Sequence, residues 1–410
     1  MKKIIIVGAG TAGTLMANKL RKVLSVKDWS ITIIDKYKIH YYQPGFLFIP
    51  FGTYSEKDVI KQKSQFIPSG VELLYADVDR IDGQNNQVIL VDGKILDYDY
   101  LVIATGTQTR PDETPGLLGD NWYKNIFDFY TIEGALALHK FFESWTGGTL
   151  VVSITEIPFK CPVAPLEFVF LADAYFTKRG IRDKVKIIYT TPMSGAFTKP
   201  KATAFLGNLL KEKNIELVPD FYIEEVDNEN KIVRSYDGRE VAYDCLTVIP
   251  MNMGDEVIAR SGLGDDMNYV ATDKNTLRSI AFENIFVLGD ATNIPASKAG
   301  SVAHFAGETL IGNMLDAING RPLSHSFDGH ANCYIETGFE KASLIDFNYE
   351  TEPLSGTYPV PVIGPFSLLG NTRINHLGKL AFKTIYWEFL LKDRKLPVSD
   401  KMSMAGKNRD

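Results

Sequence analysis

A glycine-rich turn between two short apolar segments restricts the fold of this chain more than any other feature of its sequence. Residues 3–7 (KIIIV) form a mainly apolar run, residues 8–13 (GAGTAG) follow directly, and residues 14–24 have the apolar spacing of a helix. A second apolar run over residues 30–34 ends in Asp35. Because such runs are typical of strands buried on both faces, the sequence predicts a strand–turn–helix–strand unit of a parallel sheet.

Each glycine of this turn has a separate role in binding a dinucleotide. Gly8 permits the tight turn, Gly10 lets the backbone approach a pyrophosphate, and Gly13 lets the helix pack closely on the strand. The amino end of the helix offers N–H groups to phosphates, and Asp35 is placed to accept the hydroxyls of a ribose. We therefore predict a dinucleotide site here, the alternative being a glycine-rich turn without a ligand.

Composition and charge exclude several classes of protein and several kinds of binding partner. The 410 residues include 44 basic and 50 acidic side chains, a net charge of −6 without a dense basic run, so we expect no nucleic-acid partner. Three widely spaced cysteines exclude a disulfide-stapled secreted scaffold and a metal site built from cysteine pairs. No run of about eighteen apolar residues predicts a membrane-spanning helix, and the opening segment is not typical of a signal peptide.

Two later segments have the pattern of strands that end in a small polar turn. One (YDYLVIATG) ends in Thr105 and Gly106, and the other (IFVLGDA) contains Gly289 and Asp290. Together with the glycine turn, they resemble the motifs of FAD-dependent flavoproteins of the pyridine-nucleotide-disulfide oxidoreductase type. In that family the acid of the last motif binds the ribityl chain of FAD. The alternative for Asp290 is a turn residue at the end of a strand.

The resemblance implies FAD as the cofactor and assigns a set of residues to it. Lys298 resembles family lysines near the flavin, where a cation would stabilise the reduced anion, although a solvated loop lysine is an equal alternative. The implied FAD-binding residues are Gly8, Gly10, Gly13, Asp35, Thr105, Gly106, Gly289, Asp290 and Lys298.

The alternation of strands and helices occurs twice, so we expect an α/β fold with two tandem Rossmann-like dinucleotide-binding domains and a C-terminal membrane-docking or interface region. The FAD-binding domain is predicted in two parts, residues 1–110 and 271–322. The second Rossmann-like domain spans residues 111–270 and the C-terminal region residues 323–410. Further strands are predicted at residues 149–154, 184–189 and 285–290, and further helices at 166–178, 201–213, 301–319 and 374–391.

The second predicted unit has no glycine in the loop that follows its first strand. Residues 153–162 read SITEIPFKCP, and their proline and branched side chains would obstruct the close approach of a phosphate. A nicotinamide cofactor is therefore not expected there. The loop instead places Cys161 beside Lys160 just before a helix, a setting that predicts a lowered thiol pKa. Cys245 lies in an apolar strand and is predicted to be a small buried core residue.

The segment FKCPVAPLE around Cys161, together with the distant Cys333, resembles sulfide:quinone oxidoreductase and the flavin subunit of flavocytochrome c sulfide dehydrogenase. The resemblance implies that Cys161 and Cys333 form a redox pair attacked by hydrosulfide and that Glu167 shuttles protons. Electrons would then pass through FAD to a membrane quinone. The alternative for Glu167 is a favourable charge at a helix start.

Several functional alternatives stay open from the sequence. A flavoprotein that passes electrons to a cytochrome c is one, a non-enzymatic thiol sensor or sulfur carrier is another, and an NADH:quinone oxidoreductase is disfavoured by the missing glycines. His304 and His330 are candidates for proton transfer, with structural roles as the more frequent alternative.

Residues 374–391 contain more apolar side chains than one core-facing stripe of a helix needs, and lysines interrupt them. Together with the apolar residues 361–369, they predict a surface that docks on a bilayer and admits a quinone. A helix packed on the core or on a second copy is the alternative, and a homo-oligomer stays open. We expect a peripheral membrane protein on the cytoplasmic side.

Overall fold

A five-stranded parallel sheet, here called the first sheet, contains the predicted glycine turn. The computed structural model of the protein describes residues 1–360, 364–396 and 399–408. The strands lie in the spatial order Ile285–Val287, Tyr100–Ile103, Lys2–Val7, Trp29–Asp35 and Glu72–Tyr75. All neighbouring pairs are parallel, and the central strand is buried from Ile4 to Val7. The carboxyl ends of these strands therefore meet at one edge, as a dinucleotide site requires.

The second sheet repeats this arrangement with a different part of the chain. Its parallel strands lie in the order Ile126–Asp128, Cys245–Ile249, Gly148–Ile154, Val185–Thr190 and Glu216–Val218. In the first sheet the chain enters at the centre, extends to one side and returns to the other. In the second sheet it enters at the edge strand Ile126–Asp128, continues at the centre with Gly148–Ile154, extends to the far side and returns with Cys245–Ile249. The two predicted Rossmann-like units are therefore present as two five-stranded parallel sheets, which differ in where the chain enters them. The boundaries at residues 110, 270 and 322 remain our proposal.

Helices cover these sheets close to the predicted positions, because their apolar spacing follows the 3.6-residue period. The helices are Thr11–Val23, Glu56–Val59, Ile132–Ser144, Ala164–Lys178, Pro200–Glu212, Glu256–Arg260, Gly300–Ile318 and Arg373–Ile385. Pro165 lies in the first turn of Ala164–Lys178, where its missing N–H has no cost. No helix in the described part of the chain is long and apolar enough to cross a membrane.

Smaller sheets complete the fold, and they are antiparallel except for one parallel pair, Lys341–Phe347 with Phe366–Leu368. The C-terminal sheet contains Ala331–Gly338, Lys341–Phe347, Phe366–Leu368 and Gly356–Tyr358 in that order. Two three-stranded sheets are formed by Val78–Asp82, Gln87–Leu90 and Ile95–Asp97, and by Ile223–Asp227, Ile232–Ser235 and Glu240–Ala242. Two-stranded pairs join Ile39–Tyr41 to Ile60–Gln62 and Thr107–Thr109 to Asn252–Gly254.

The helix Arg373–Ile385, here called the C-terminal helix, begins with a side-chain cap in which Thr372 accepts a hydrogen bond from the backbone of Asn375. It continues into a π-helical turn, Tyr386–Leu390. The first half of this segment exposes apolar side chains, whereas the π-helical turn is largely buried. Of the apolar stretch predicted upstream, residues 361–363 lie outside the described residues.

Candidate active site

A cavity of about 690 Å³ lies at the carboxyl edge of the first sheet. Every residue predicted to belong to the site lines it except Gly13 and Cys333. One end is formed by the glycine turn and Asp35, and the other end contains Cys161 and the C-terminal helix. The motifs that the sequence separates by almost 300 positions therefore surround one space.

The glycine turn has the shape that a bound pyrophosphate requires. A Cβ atom on Gly8, whose φ is +98°, would lie 2.4 Å from the carbonyl oxygen of Ala104, and one on Gly13 would lie 1.8 Å from that of Gly8. Side chains at these two positions would therefore push the helix and the strands apart. At Gly10 nothing lies within 4 Å of the added atom. The space beside Gly10 is open toward the cavity that it lines, so the turn fits the phosphates of FAD.

Asp35 lies at the end of its strand beside this turn, and its carboxylate oxygens already have partners in the protein. One carboxylate oxygen accepts from the backbone of Ala9 at 2.8 Å and pairs with the ammonium of Lys63 at 2.5 Å, and the other accepts from the backbone of Tyr37 at 2.8 Å. The carboxylate retains about one acceptor position for a ribose hydroxyl, because each oxygen offers about two and these three contacts occupy the others. Lys63 was not predicted, since nothing in its local sequence links it to Asp35.

The second and third motifs form the opposite wall. Gly106 and Gly289 adopt φ values of +70° and +75°, which favour glycine, and the hydroxyl of Thr105 is buried without a hydrogen-bond partner. An unsatisfied buried hydroxyl beside a cavity fits a polar ligand. Burial raises the pKa of Asp290, and the nearby cations Lys298 and Lys160 oppose that effect.

Lys298 is held in place rather than solvated. Its ammonium donates to the backbone oxygens of Asp290 and Thr292 at 2.8 and 2.9 Å and lies 3.8 Å from the centre of the Tyr269 ring. Burial lowers its pKa to about 8, although Asp290 opposes that effect. The alternative of a solvated loop lysine does not hold, and its position beside the flavin remains a proposal.

Cys161 occupies a strained turn between the second sheet and the helix Ala164–Lys178. Its φ is +52°, a region that costs a non-glycine residue conformational energy. The backbone N–H of Cys161 donates to the carbonyl oxygen of Lys298 at 2.8 Å, and its carbonyl oxygen accepts from Ala164 at 2.9 Å. The cysteine loop is therefore bonded directly to the loop that carries Lys298.

A buried carboxylate and ammonium lie beside the thiol. Glu167, with no exposed surface, accepts hydrogen bonds at Oε1 from Nζ of Lys379 and from the backbone N–H of Glu336, each at 2.8 Å. Its Oε2 atom has no partner. Burial raises the pKa of Glu167, and Lys379 opposes that effect. These contacts join three elements that are far apart in sequence.

The structure brings Cys333 to the same cluster. Cys333 lies three residues before Glu336 on the strand Ala331–Gly338, and its charge acts on the pKa of Cys161. Charges on Glu167 and Lys379 act on the pKa values of both thiols. Both cysteines are free in this structure.

The predicted lowering of the Cys161 pKa is wrong. Burial raises the pKa of Cys161 to about 12 and that of Cys333 to about 11, with Glu167 adding to the effect and Lys379 opposing it. Burial also lowers the pKa of the neighbouring Lys160, whereas Asp290, Asp128 and Cys161 oppose that effect. Desolvation outweighs the nearby helix start.

The sequence predicted the environments of some of the remaining residues better than those of others. Lys379, described only as one of the lysines in an apolar helix, is a central member of the cluster. Cys245 is fully buried in its strand, as predicted. His330 stacks on Phe305 at 3.9 Å and pairs with Asp346 at 2.7 Å, and neither it nor His304 lines the cavity. A buried lysine in a helix that also carries apolar residues gives no local signal of its partner.

Known proteins are similar to this chain in sequence and in fold. A family model described as pyridine nucleotide-disulphide oxidoreductase matches residues 2–141. The mitochondrial sulfide:quinone oxidoreductase of Dictyostelium discoideum is 31% identical over 398 residues, which cover 96% of this chain and 86% of that protein. The chain belongs to the sulfide:quinone oxidoreductase family. The corresponding protein of Mus musculus is 28% identical over 364 residues, covering 87% of this chain and 80% of that protein.

A solved structure supports the same fold. The X-ray structure of the sulfide:quinone oxidoreductase from Aquifex aeolicus superposes with a TM-score of 0.80 at 22% identity, covering 96% of this chain and 92% of that one. The predicted family, the α/β class with two Rossmann-like units, the oxidoreductase activity and FAD as cofactor are confirmed for this member of the sulfide:quinone oxidoreductase family. The roles of individual residues and the membrane-docking region remain predictions.

Proposed function

We propose that the protein oxidises sulfide through Cys161 and Cys333 and passes the electrons through FAD to a membrane quinone. The observation that carries this proposal is the cluster of both cysteines with Glu167 and Lys379 at one end of the FAD cavity. A thiol pair beside a flavin site is suited to two-electron sulfur chemistry.

Sulfide enters the reaction as a nucleophile. In the oxidised state Cys161 and Cys333 are joined by a disulfide or a sulfur bridge. Hydrosulfide attacks one sulfur, the sulfur–sulfur bond breaks, a persulfide forms on the attacked cysteine, and the other leaves as a thiolate. Loss of two electrons and one proton rejoins the persulfide and the thiolate with one added sulfur. Bound FAD supplies the two-electron acceptor.

The buried pair of Lys379 and Glu167 stabilises a thiolate and accepts a proton during these steps. The ammonium of Lys379 lowers the pKa of both thiols against the effect of burial, so it stabilises the thiolate that leaves. The Glu167 atom Oε2 has no partner, and burial raises the pKa of this carboxyl above its ordinary value, which suits a general base. Glu167 accepts the proton released from the persulfide.

The C-terminal helix contributes to the wall of the cavity. Phe382 and Lys379 of this helix line the cavity, and Ile374 and Leu377 of the same helix are 50% and 63% exposed. Exposed aliphatic side chains on a helix that lines the cavity support docking on a bilayer. The relatives carry quinone in their names, so we propose a lipid-soluble quinone as the acceptor and a peripheral position on the cytoplasmic side of a membrane.

Stopped-flow reduction of the flavin by sulfide tests the thiol pair. Cys161→Ser and Cys333→Ser should each slow anaerobic bleaching of bound FAD by at least 100-fold, because no sulfur bridge remains to be attacked. Cys245→Ser removes a buried thiol outside the cluster and should bleach at the wild-type rate. Wild-type bleaching in either cluster variant would contradict the proposal. Rapid bleaching by NADH would contradict the assignment of sulfide as the electron donor.

A further inference from the structure

A second buried acid pairs with a histidine near the surface. The carboxylate oxygens of Glu336 lie 2.9 and 3.0 Å from Nδ1 of His376 on the C-terminal helix. The Glu336 side chain is 1% exposed and the His376 side chain 18% exposed. The imidazole therefore contacts solvent on one side and a fully buried carboxylate on the other.

This pair adjoins the catalytic cluster. The backbone N–H of Glu336 donates to Glu167, and His376 lies three residues before Lys379 on one face of the helix. Burial lowers the pKa of Lys379, but negative charge on Glu167, Cys161 and Glu336 outweighs this and raises it above its ordinary value. The Glu336 carboxylate therefore acts on both His376 and Lys379.

The proposed reaction requires a proton from outside the buried site. Hydrosulfide gives up two electrons and one proton when its sulfur is transferred. A quinone takes up two electrons and two protons when it becomes a hydroquinone. Each turnover therefore consumes one proton that sulfide does not supply.

We propose that His376 and Glu336 relay this proton from solvent to Lys379 and Glu167, an inference that rests on the proposed quinone chemistry. His376 takes the proton at its solvent side and passes it from Nδ1 to Glu336. The ammonium of Lys379 gives its proton to the reduced quinone, and Glu336 then passes the incoming proton to the neutral amine of Lys379, which restores the Glu167–Lys379 pair beside the cavity. The two residues act through Lys379, so they are positioning and relay residues rather than groups that touch the quinone.

The charges around His376 suit this exchange. Its hydrogen bond to Glu336 raises the pKa of the imidazole, burial opposes that effect, and Glu340 adds to it. Glu340 also lies 3.7 Å from Arg373 in the exposed first turn of the helix. Lys379 and Glu167 face the pair from the interior. Burial raises the pKa of Tyr54, which Lys379 and Glu336 also influence.

Reoxidation of pre-reduced enzyme tests the relay without sulfide. The FAD-loaded protein is reduced with dithionite and mixed with a soluble quinone between pH 6 and 9. The wild-type rate should fall as the pH rises through the His376 pKa, whereas His376→Gln should react at least about tenfold more slowly at pH 6.5 and lose this dependence. Added imidazole should restore part of the rate in His376→Ala.

His139→Gln is the matched control. His139 is also partly exposed and lies 3.8 Å from Glu143, one helical turn further along the same helix. That helix, Ile132–Ser144, is not the C-terminal helix. The control variant should reoxidise as the wild type does. A wild-type enzyme that quinone does not reoxidise contradicts the proposed function. A normal wild type with an unchanged His376→Gln rate and pH profile contradicts the relay alone.

A titration of His376 by NMR provides a readout that needs no turnover. Glu336→Gln should lower the His376 pKa because the partner charge is lost. Lys379→Met should raise that pKa because a neighbouring cation is removed. A His376 pKa that does not respond to Lys379→Met would show that the surface pair and the buried cluster are not coupled, and would overturn the relay.

Discussion

Burial raises the pKa of Cys161 and that of Cys333. The neighbouring Glu167 raises both pKa values further, whereas Lys379 lowers them. Reduced thiols in this setting are protonated at neutral pH. Their reactivity therefore depends on a charge pair whose members come from other elements, and each of its charges changes the thiolate fraction.

Alkylation measures this dependence. Glu167→Gln should lower the pKa of both thiols and speed their alkylation by iodoacetamide at pH 8, because this variant removes a negative charge that disfavours the thiolates. Lys379→Met should slow alkylation. The rates follow from mass spectrometry of each cysteine peptide after reduction, with Cys245 as the internal reference. Equal rates in both variants would contradict the opposed roles of the two charges.

Residue-level prediction was possible where chemistry is local. Turn geometry and a strand-end acid within one short segment singled out Gly8, Gly10 and Asp35, which all line the cavity in the structure. Lys379 was not, since its partner Glu167 lies 212 positions away, and the Cys161 pKa was predicted in the wrong direction because desolvation depends on the whole enclosure.

The C-terminal helix is the element that joins the parts of the site. It contributes Lys379 and Phe382 to the cavity, and the π-helical turn that follows packs on the first unit. The hydroxyl of Tyr386 lies 2.7 Å from both His40 and Thr11, and Trp387 stacks on Phe66 at 5.2 Å. The helix therefore connects the glycine turn with the thiol cluster.

Double variants test the energetic part of this connection. Lys379→Met should destabilise the FAD-loaded protein by about 3 kcal/mol in denaturant unfolding at pH 8, because Glu167 is left charged and unpaired. Burial raises the folded-state pKa of Glu167, so the loss should shrink as the pH falls through that pKa and the carboxyl becomes neutral.

Adding Glu167→Gln to Lys379→Met should recover most of the lost stability. Lys383→Met is the comparison variant, since Lys383 pairs with Asp58 at 2.8 Å in a more exposed position and should cost about 1 kcal/mol or less. A double variant as unstable as the single one would show that lost packing, not an unpaired charge, causes the effect.

At the level of elements, periodicity predicted the parallel strands and long helices because each obeys one repeating pattern. It did not predict the antiparallel sheets, whose strands are mostly three to five residues long in the structure. It also treated residues 374–391 as one apolar surface. Tyr386, Trp387 and Leu390 are instead buried against the first unit, so only part of that surface is exposed.

In the whole molecule, two five-stranded parallel sheets are used for different purposes. The first surrounds the cavity with its glycine turn, whereas the second places a cysteine loop where an equivalent turn would lie. Exposed apolar side chains lie on the C-terminal helix, which also lines that cavity. The three regions together define one route from sulfur to acceptor in our proposal.

Liposome flotation tests the proposed membrane surface. Ile374→Gln with Leu377→Gln should weaken binding to liposomes roughly tenfold, because two side chains that would enter the bilayer become polar. Leu118→Gln with Ile280→Gln changes two aliphatic side chains of similar exposure, 51% and 68%, away from the C-terminal helix. Equal flotation of the two double variants would remove the C-terminal helix from the docking surface.

The strand Ile285–Val287 lies beside Tyr100–Ile103 in the first sheet, after the chain has formed all of the second. During synthesis on the ribosome, Asp290 follows the glycine turn only after about 280 further residues. The cavity that we assign to FAD is therefore incomplete until the second sheet has been made. We expect loading with FAD to follow that step.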